Sequence, residues 1–353
     1  MQAALSLSAI PQTCIRMRAY VFPLLALACA VAVDAAAQTV LAQRIDSILS
    51  VREEKAKAKY DTAFIAKPGQ KWTVKPRVNT SGTDLSAKGV IGDSRFSTSL
   101  RAELRSTLGA TVSYRGLSIG FALNPAKLSG KNKDNEFSLS SYGNRWGADL
   151  VYTSAKTFSG TAELGGAKYD IRPSTVSMEM LQANAYYTFS HRRFSFPAAF
   201  TQSQVQLRSK GSWLLGLSAF AGRIDTGSDV VPGASKSRLL AINVAVGGGY
   251  AYNLVLKRKW LIHLSAMPHI VVYSRNKLTV GDVRQRSPFR FPSLINIGRF
   301  AAVRNFKNSF IGMSAVVNLW HQGDSGEMMI ESVKWRARLF YGVTRVRHKK
   351  FMR

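Results

Sequence analysis

From Leu100 to Tyr114 every second residue is apolar or small: Leu100, Ala102, Leu104, Ser106, Leu108, Ala110, Val112 and Tyr114. Arg101, Glu103, Arg105, Gly109, Thr111 and Ser113 lie between them. A period of two places the sets on opposite faces of a strand. A strand this long, with charges on one side only, fits a wall between hydrocarbon and a wet interior, as in a transmembrane β-barrel.

The pattern recurs. Trp72, Val74, Pro76 and Val78 alternate with Lys71, Thr73, Lys75 and Arg77, although Pro76 is unwelcome in a central strand. After Tyr114 the phase flips at Arg115-Gly116, which predicts a tight hairpin into Leu117, Ile119, Phe121 and Leu123. Residues 124–135 read as a polar loop. Phe137/Leu139 and Trp146/Ala148/Leu150/Tyr152 flank a turn signal at Gly143-Asn144. Later apolar faces start at Leu181, Trp213 and Leu240. Lys257-Arg258-Lys259 is a turn, and further faces start at Trp260, Ile295, Ile311 and Val333. The expected architecture is all-β: a closed antiparallel transmembrane barrel of about 12 strands, roughly 10–14, with an even number favoured. Glycines inside strands (Gly216, Gly247, Gly248, Gly249, Gly312) suit bends and close packing of a filled interior.

The ends of the 353-residue chain change this picture little. Arg16 and Arg18 followed by the apolar stretch Tyr20–Val33 and Ala35-Ala36-Ala37 predict a secretory signal over residues 1–37, cut before Gln38. Translation could start at Met1 or at Met17. Cys14 and Cys29 both precede that cut. A rival cut at Ala26-Leu27-Ala28-Cys29 would leave a lipoprotein acylated at Cys29. Residues 38–60 read as a short helix or periplasmic lead-in, and 61–353 as the barrel. No apolar run long enough for a spanning helix follows the signal.

Lys and Arg number 49 against 20 Asp and Glu, for a net charge of +29. So basic a chain usually suggests nucleic acid. Here the charges are spread along strand-like segments of an exported chain. Outer-membrane lipids, lipopolysaccharide phosphates or small anions are the better partners, with the barrel-assembly machinery, and no nucleic acid is expected. On the face opposite the apolar sets lie Lys71, Lys75, Arg77, Arg101, Arg105, Lys334, Arg336 and Arg338, with Glu103 and Asp149 as counter-charges. These are the expected lumen residues. They form either an Arg–carboxylate network that plugs the barrel or an anion-preferring path. Tyr114, Trp146, Trp260, Trp320 and Trp335 are the expected interface aromatics.

Catalytic signals are poor. Gly116-Leu117-Ser118-Ile119-Gly120 matches a hydrolase nucleophile string, but Ser118 sits within an alternating strand and not at a strand-to-helix elbow. His263 and Ser265 share one strand's polar face, yet no sequence feature supplies a third group to orient the histidine. His191, His269, His321 and His348 lack metal-ligand spacing. No cofactor is expected.

The segment Pro197-Ala198-Ala199-Phe200-Thr201-Gln202-Ser203, with Arg208-Ser209-Lys210-Gly211-Ser212-Trp213-Leu214-Leu215-Gly216, resembles an uncharacterised exported family of Bacteroidetes, domain of unknown function 4421. Tyr60-Asp61-Thr62 and Gly249-Tyr250-Ala251-Tyr252-Asn253 are similar to it too. The resemblance runs from about Tyr60 to the C-terminus and implies a barrel without implying an activity. Outer-membrane barrels usually end on an aromatic residue that the assembly machinery reads, whereas this chain ends Lys350-Phe351-Met352-Arg353.

These observations point first to an outer-membrane barrel without catalytic activity, envelope-structural, lipid-binding or a narrow anion-preferring pore. A lipid-modifying barrel enzyme is the second reading. A periplasmic β-protein or lipoprotein is the third.

Overall fold

A computed structural model describes Ser47 and residues 60–345, except 68–71, 92–93, 115–116, 129–133, 228–234, 282, 288–292 and 325–327. The expected signal segment, Lys71 and the expected turn at Arg115-Gly116 lie outside the described residues.

The body is one antiparallel sheet of 16 strands. In chain order the strands are β2 (Trp72–Ile91), β3 (Ser94–Arg101), β4 (Arg105–Tyr114), β5 (Leu117–Leu123), β6 (Asn135–Tyr142), β7 (Trp146–Ala155), β8 (Ser159–Leu164), β9 (Ala167–Ile171) and β10 (Val176–Thr188). There follow β12 (Lys210–Thr226), β13 (Ser237–Leu256), β14 (Trp260–Val280), β15 (Val283–Ser287), β16 (Leu294–Asn305), β17 (Ser309–Asp324) and β18 (Met328–Arg345). A separate two-stranded ladder joins β1 (Ile65–Ala66) to β11 (Val205–Gln206). Among the described residues, short helices include α1 (Pro125–Leu128) and α2 (Phe196–Phe200). No helix among the described residues is long and apolar enough to cross a membrane.

Most strands pair with their chain neighbours, and β18 pairs back onto β2. The sheet is strongly curled, because side chains on its concave face meet across several intervening strands. Arg299 on β16 reaches Asp149 on β7 at 2.8 Å, and Lys334 on β18 reaches Glu136 on β6 at 2.7 Å. Alternation assigns the faces. On β12 Ser212, Leu214 and Ser218 are buried on the concave side, while Trp213, Leu215 and Leu217 are exposed on the convex side. The convex apolar stripe of β12 runs from Trp213 to Ala221, ~26 Å at ~3.3 Å per residue, and Arg223 closes it at one end.

One long wall opposite β2 is broken into β3 and β4. Arg101 pairs with Asp84 and Arg105 with Ser81, so three residues on one side face two on the other. This bulge at Ala102, Glu103 and Leu104 reverses the faces. Leu100 and Ala102 are therefore concave and buried, whereas Leu104 and Leu108 are convex and exposed. The expectation of one unbroken amphipathic strand from Leu100 to Tyr114 is corrected accordingly. Pro76 sits in β2 where pairing to β18 lapses between Phe340 and Val343, as a residue without an N–H requires. Ile295 and Ile297, expected on the outer apolar face, are buried on the concave one, because β16 is apolar on both sides.

At the β13–β14 turn Lys257 and Arg258 both take positive φ, 48° and 54°, with Lys259 N–H donating to Leu256 O. A two-residue hairpin that follows the sheet's twist needs that conformation. Strand glycines admit large interior side chains. A Cβ on Gly147 would collide with the Tyr186 ring, and one on Gly342 with Phe310.

Candidate functional site

The connection between β10 and β12, residues 189–209, folds back onto the concave face. Its helix α2 starts at Ser195, whose Oγ accepts from Ala198 N–H, and Pro197 stands where no helical N–H is needed. Every residue of α2 is buried, as are Phe194 and Ser195. Phe200 stacks on Tyr142 at 4.9 Å, Phe196 packs on Tyr186 at 4.7 Å, and His263 lies 5.1 Å from both phenylalanines. Polar tethers fix the segment. Lys75 Nζ donates to Gln202 Oε1 and Thr201 O, and Asn253 Nδ2 donates to Ser195 O and Gln206 Oε1. Gln206 Nε2 in turn donates to carbonyls of Phe64, Arg193 and Arg208.

From the other side the segment is held by residues before β2. Asp61 accepts from Ala63 N–H and pairs with Arg193 at 3.0 Å. Those two partners hold its carboxyl below the usual carboxylate range. The three stretches Tyr60–Thr62, Pro197–Ser203 and Gly249–Asn253 thus meet in one place: a plug, its strap and its seat.

Beyond the plug lies a layer of charge. Arg299 is fully buried, paired with Asp149 at 2.8 Å and 5.1 Å over the Tyr186 ring. Glu136 gathers Lys334 at 2.7 Å, Arg105 at 2.5 Å and Arg336 at 4.0 Å, and accepts from Ser81 Oγ. Arg338 Nε donates to Asn79 Oδ1. Farther on, Leu85, Met178, Phe220, Trp320 and Ile330 form an apolar layer, with Trp320 stacked on Phe220 at 4.7 Å.

Several expected positions differ. Lys75, Arg77, Arg105, Lys334, Arg336, Arg338 and Asp149 face the concave interior. Arg101 does not: the bulge puts it on the convex face, bound to Asp84 at 2.6 Å. Glu103 is exposed there and is not the counter-charge of Arg105; that role falls to Glu136. Trp320 is buried inside and not at a membrane interface. Trp335 lies mid-strand across Gly82, where a Cβ would come within 2.7 Å of its Nε1. Trp146 and Trp260 are exposed at the end where β2 begins and β18 ends, and Trp72, Trp213, Tyr250 and Tyr341 stand there too. Tyr114 pairs there with Trp72 through the backbone.

The His263–Ser265 pair gains the orienting group that was missing. Asn253, opposite His263 across the β13–β14 ladder, places Oδ1 2.7 Å from Nδ1, and Nε2 lies 3.1 Å from Ser265 Oγ. Because Asn253 Nδ2 is spent on the plug, the histidine Nδ1 is the donor and Nε2 accepts from the serine hydroxyl. The order suits an acyl-transfer nucleophile. Yet His263 and Asn253 are fully buried and the plug phenylalanines pack against the ring. Ser118 lies in β5, where no strand-to-helix elbow exists. No metal-binding cluster occurs among the described residues.

The family model described as Domain of unknown function (DUF4421) matches residues 59–344. The chain belongs to the DUF4421 family. None of the curated proteins matches it. Solved structures similar to this DUF4421 chain include the outer membrane protease OmpT of Escherichia coli, at 6% identity and TM-score 0.42 over 78% of this chain and 97% of that one. The translocator domain of the autotransporter NalP from Neisseria meningitidis matches at 12% identity and TM-score 0.30, over 88% and 99%. The toluene transporter TodX of Pseudomonas putida matches at 8% identity and TM-score 0.27, over 80% and 91%.

Proposed function

We propose that this DUF4421 protein is a non-catalytic outer-membrane β-barrel whose lumen is sealed at rest. Its work is then done at its lipid-facing and exposed surfaces, as an envelope-structural or lipopolysaccharide-interacting protein. In this reading residues 1–37 are an export signal and the barrel-assembly machinery inserts the mature chain. Twelve staves close the wall: β2, β4, β5, β6, β7, β10, β12, β13, β14, β16, β17 and β18, with β5 and β6 as the closing pair. Supporting closure, Glu136 at the start of β6 bonds Arg105 of β4 and Ser81 of β2. The convex apolar stripes and the ring of exposed aromatics at one end suit hydrocarbon and its interface.

The observation that carries the sealed state is the plug: Phe194 through Phe200 fill the interior behind one end, with the Asp149–Arg299 and Glu136 networks behind them. A lumen filled by its own side chains leaves no wide channel. The mature protein is expected to fractionate with the outer membrane, to migrate faster on a gel when unboiled, and to be electrically silent in planar bilayers. Recovery in the soluble periplasmic fraction, or a large steady conductance, contradicts the proposal. The positive interior favours a second reading, a narrow anion-preferring path, which would appear as small anion-selective currents that weaken as salt screens the field.

A further inference from the structure

Among the described residues the interior contains more cations than carboxylates to neutralise them. Lys75, Arg77, Arg105, Arg299, Lys334, Arg336 and Arg338 face inward, while the described carboxylates within their reach are Asp134, Glu136 and Asp149. Asp149 is paired with Arg299. Glu136 is shared by Lys334 and Arg105, and Arg336 reaches it only at 4.0 Å. Asp134 accepts from Lys156 N–H and Thr157 Oγ. Lys75 is turned to the plug.

Arg77, Arg336 and Arg338 remain. The β2–β18 register sets Arg338 opposite Asn79, Arg336 opposite Ser81 and Phe340 opposite Arg77. Arg338 is thus the diagonal neighbour of Arg77 and the same-face neighbour of Arg336 two residues along β18, so it stands between the other two on one patch of concave face. Arg338 has an amide oxygen as its hydrogen-bond acceptor, and Arg77 Nε is buried without any acceptor. Three guanidiniums this close repel one another strongly in a medium less polar than water. Arginine cannot relieve the strain by losing its proton. Lysine could, and the use of arginine at all three places keeps the patch positive. The Arg336 side chain is still 15% open although it points inward, so the patch borders free interior space.

We propose that Arg77, Arg336 and Arg338 bind a small tetrahedral oxyanion, of the phosphate or sulfate type, inside the barrel. Guanidinium forks match such oxygens in pairs, and one multiply charged anion can serve several forks at once. A lipid headgroup does not fit the place, since its acyl chains would have to enter a lumen filled by the plug and the apolar layer. The site does not depend on whether the plug ever opens. Bound, the anion would cross-link β2 and β18 from within.

The test uses the full mature chain, folded in detergent and verified by its heat-modifiable gel shift. Protein folded in inorganic phosphate and then washed into chloride buffer should release phosphate one-to-one on denaturation. Phosphate should also raise its unfolding temperature above that in chloride of equal ionic strength. Arg338→Gln and Arg77→Gln should each weaken retention roughly tenfold or more, the effect of losing charge-assisted hydrogen bonds. Arg238→Gln, on the convex face, should leave retention unchanged. Should Arg338→Gln not fold, Arg77→Gln and Arg338→Lys carry the same comparison, the lysine retaining charge but binding more weakly. Absence of released phosphate together with no stabilisation over chloride would overturn the site. So would retention that the double change Arg77→Gln/Arg338→Gln leaves intact.

Discussion

The sheet carries arginines on both faces, and the two sets live by different rules. On the convex face above the apolar stripe, Arg223 bonds Glu179 at 3.2 Å and Asp225 at 2.8 Å, and Arg238 bonds Asp225 at 2.5 Å. These side chains are exposed, so water does most of the solvation and each ion pair adds little. On the concave face Arg299 is wholly buried and depends on Asp149, and among the described residues Arg338 bonds only the Asn79 amide while Arg77 Nε has no acceptor. The same residue type is thus a cheap solubilising group on one side of the sheet and a structural commitment on the other. Side, and not charge, decides how much each arginine matters.

That contrast can be broken at graded strength. Asp149→Leu should be the most damaging, because it strands a buried guanidinium; losing one partner of a buried pair costs about 3–5 kcal/mol, and chemical unfolding of the detergent-folded chain measures it. Leu217→Arg, which places a charge on the convex stripe where Leu217 is exposed, should cost about 2–4 kcal/mol near the bilayer midplane. A lipid-refolding titration would show it, and tolerance of that change would mean that the stripe does not face hydrocarbon. Arg238→Ala should leave stability nearly unchanged, and any small difference should shrink further in high salt. If Arg238→Ala proved as harmful as Asp149→Leu, the distinction between the faces would collapse.

Much of the wall was legible because a period of two is a local signal. Trp213–Ala219, Leu240–Val246 and Val333–Val343 face as their alternation says. The failures have physical causes. One extra residue in the stretch Ala102–Leu104 reversed the faces, which misplaced Arg101 and Glu103; nothing in the local composition marks that bulge. Ile295 and Ile297 were ambiguous because both faces of β16 are largely apolar.

The interior was read only in part. Lys75, Arg77, Arg105 and the β18 basics were visible as positions opposite apolar faces, but Glu136 was missed as the partner of Arg105 and Lys334, and Arg299 as the partner of Asp149. Arg299 stands 150 residues from Asp149, and only the curl of the sheet brings them together. Asn253 was missed as the group that orients His263 for a similar reason, since cross-strand register is set by folding and is not written in spacing. The plug gave no periodic signal. A five-residue helix is too short to show one, and its burial rests on contacts with β10 just before it and with β6, β13 and β14 farther away in the chain.

The central claim is that Phe194 through Phe200 pack into the concave interior of the sheet and do not hang outside it. Thiol labelling tests this most directly, in a mature chain from Gln38 that contains no other cysteine. Ala199, in α2, is fully buried, whereas Thr201 two residues later is exposed. In the folded protein Thr201→Cys should react at once with a membrane-impermeant maleimide, and Ala199→Cys should react only after denaturation. Rapid labelling of Ala199→Cys in a chain that still shows the folded gel mobility would contradict the plug, and with it the sealed lumen.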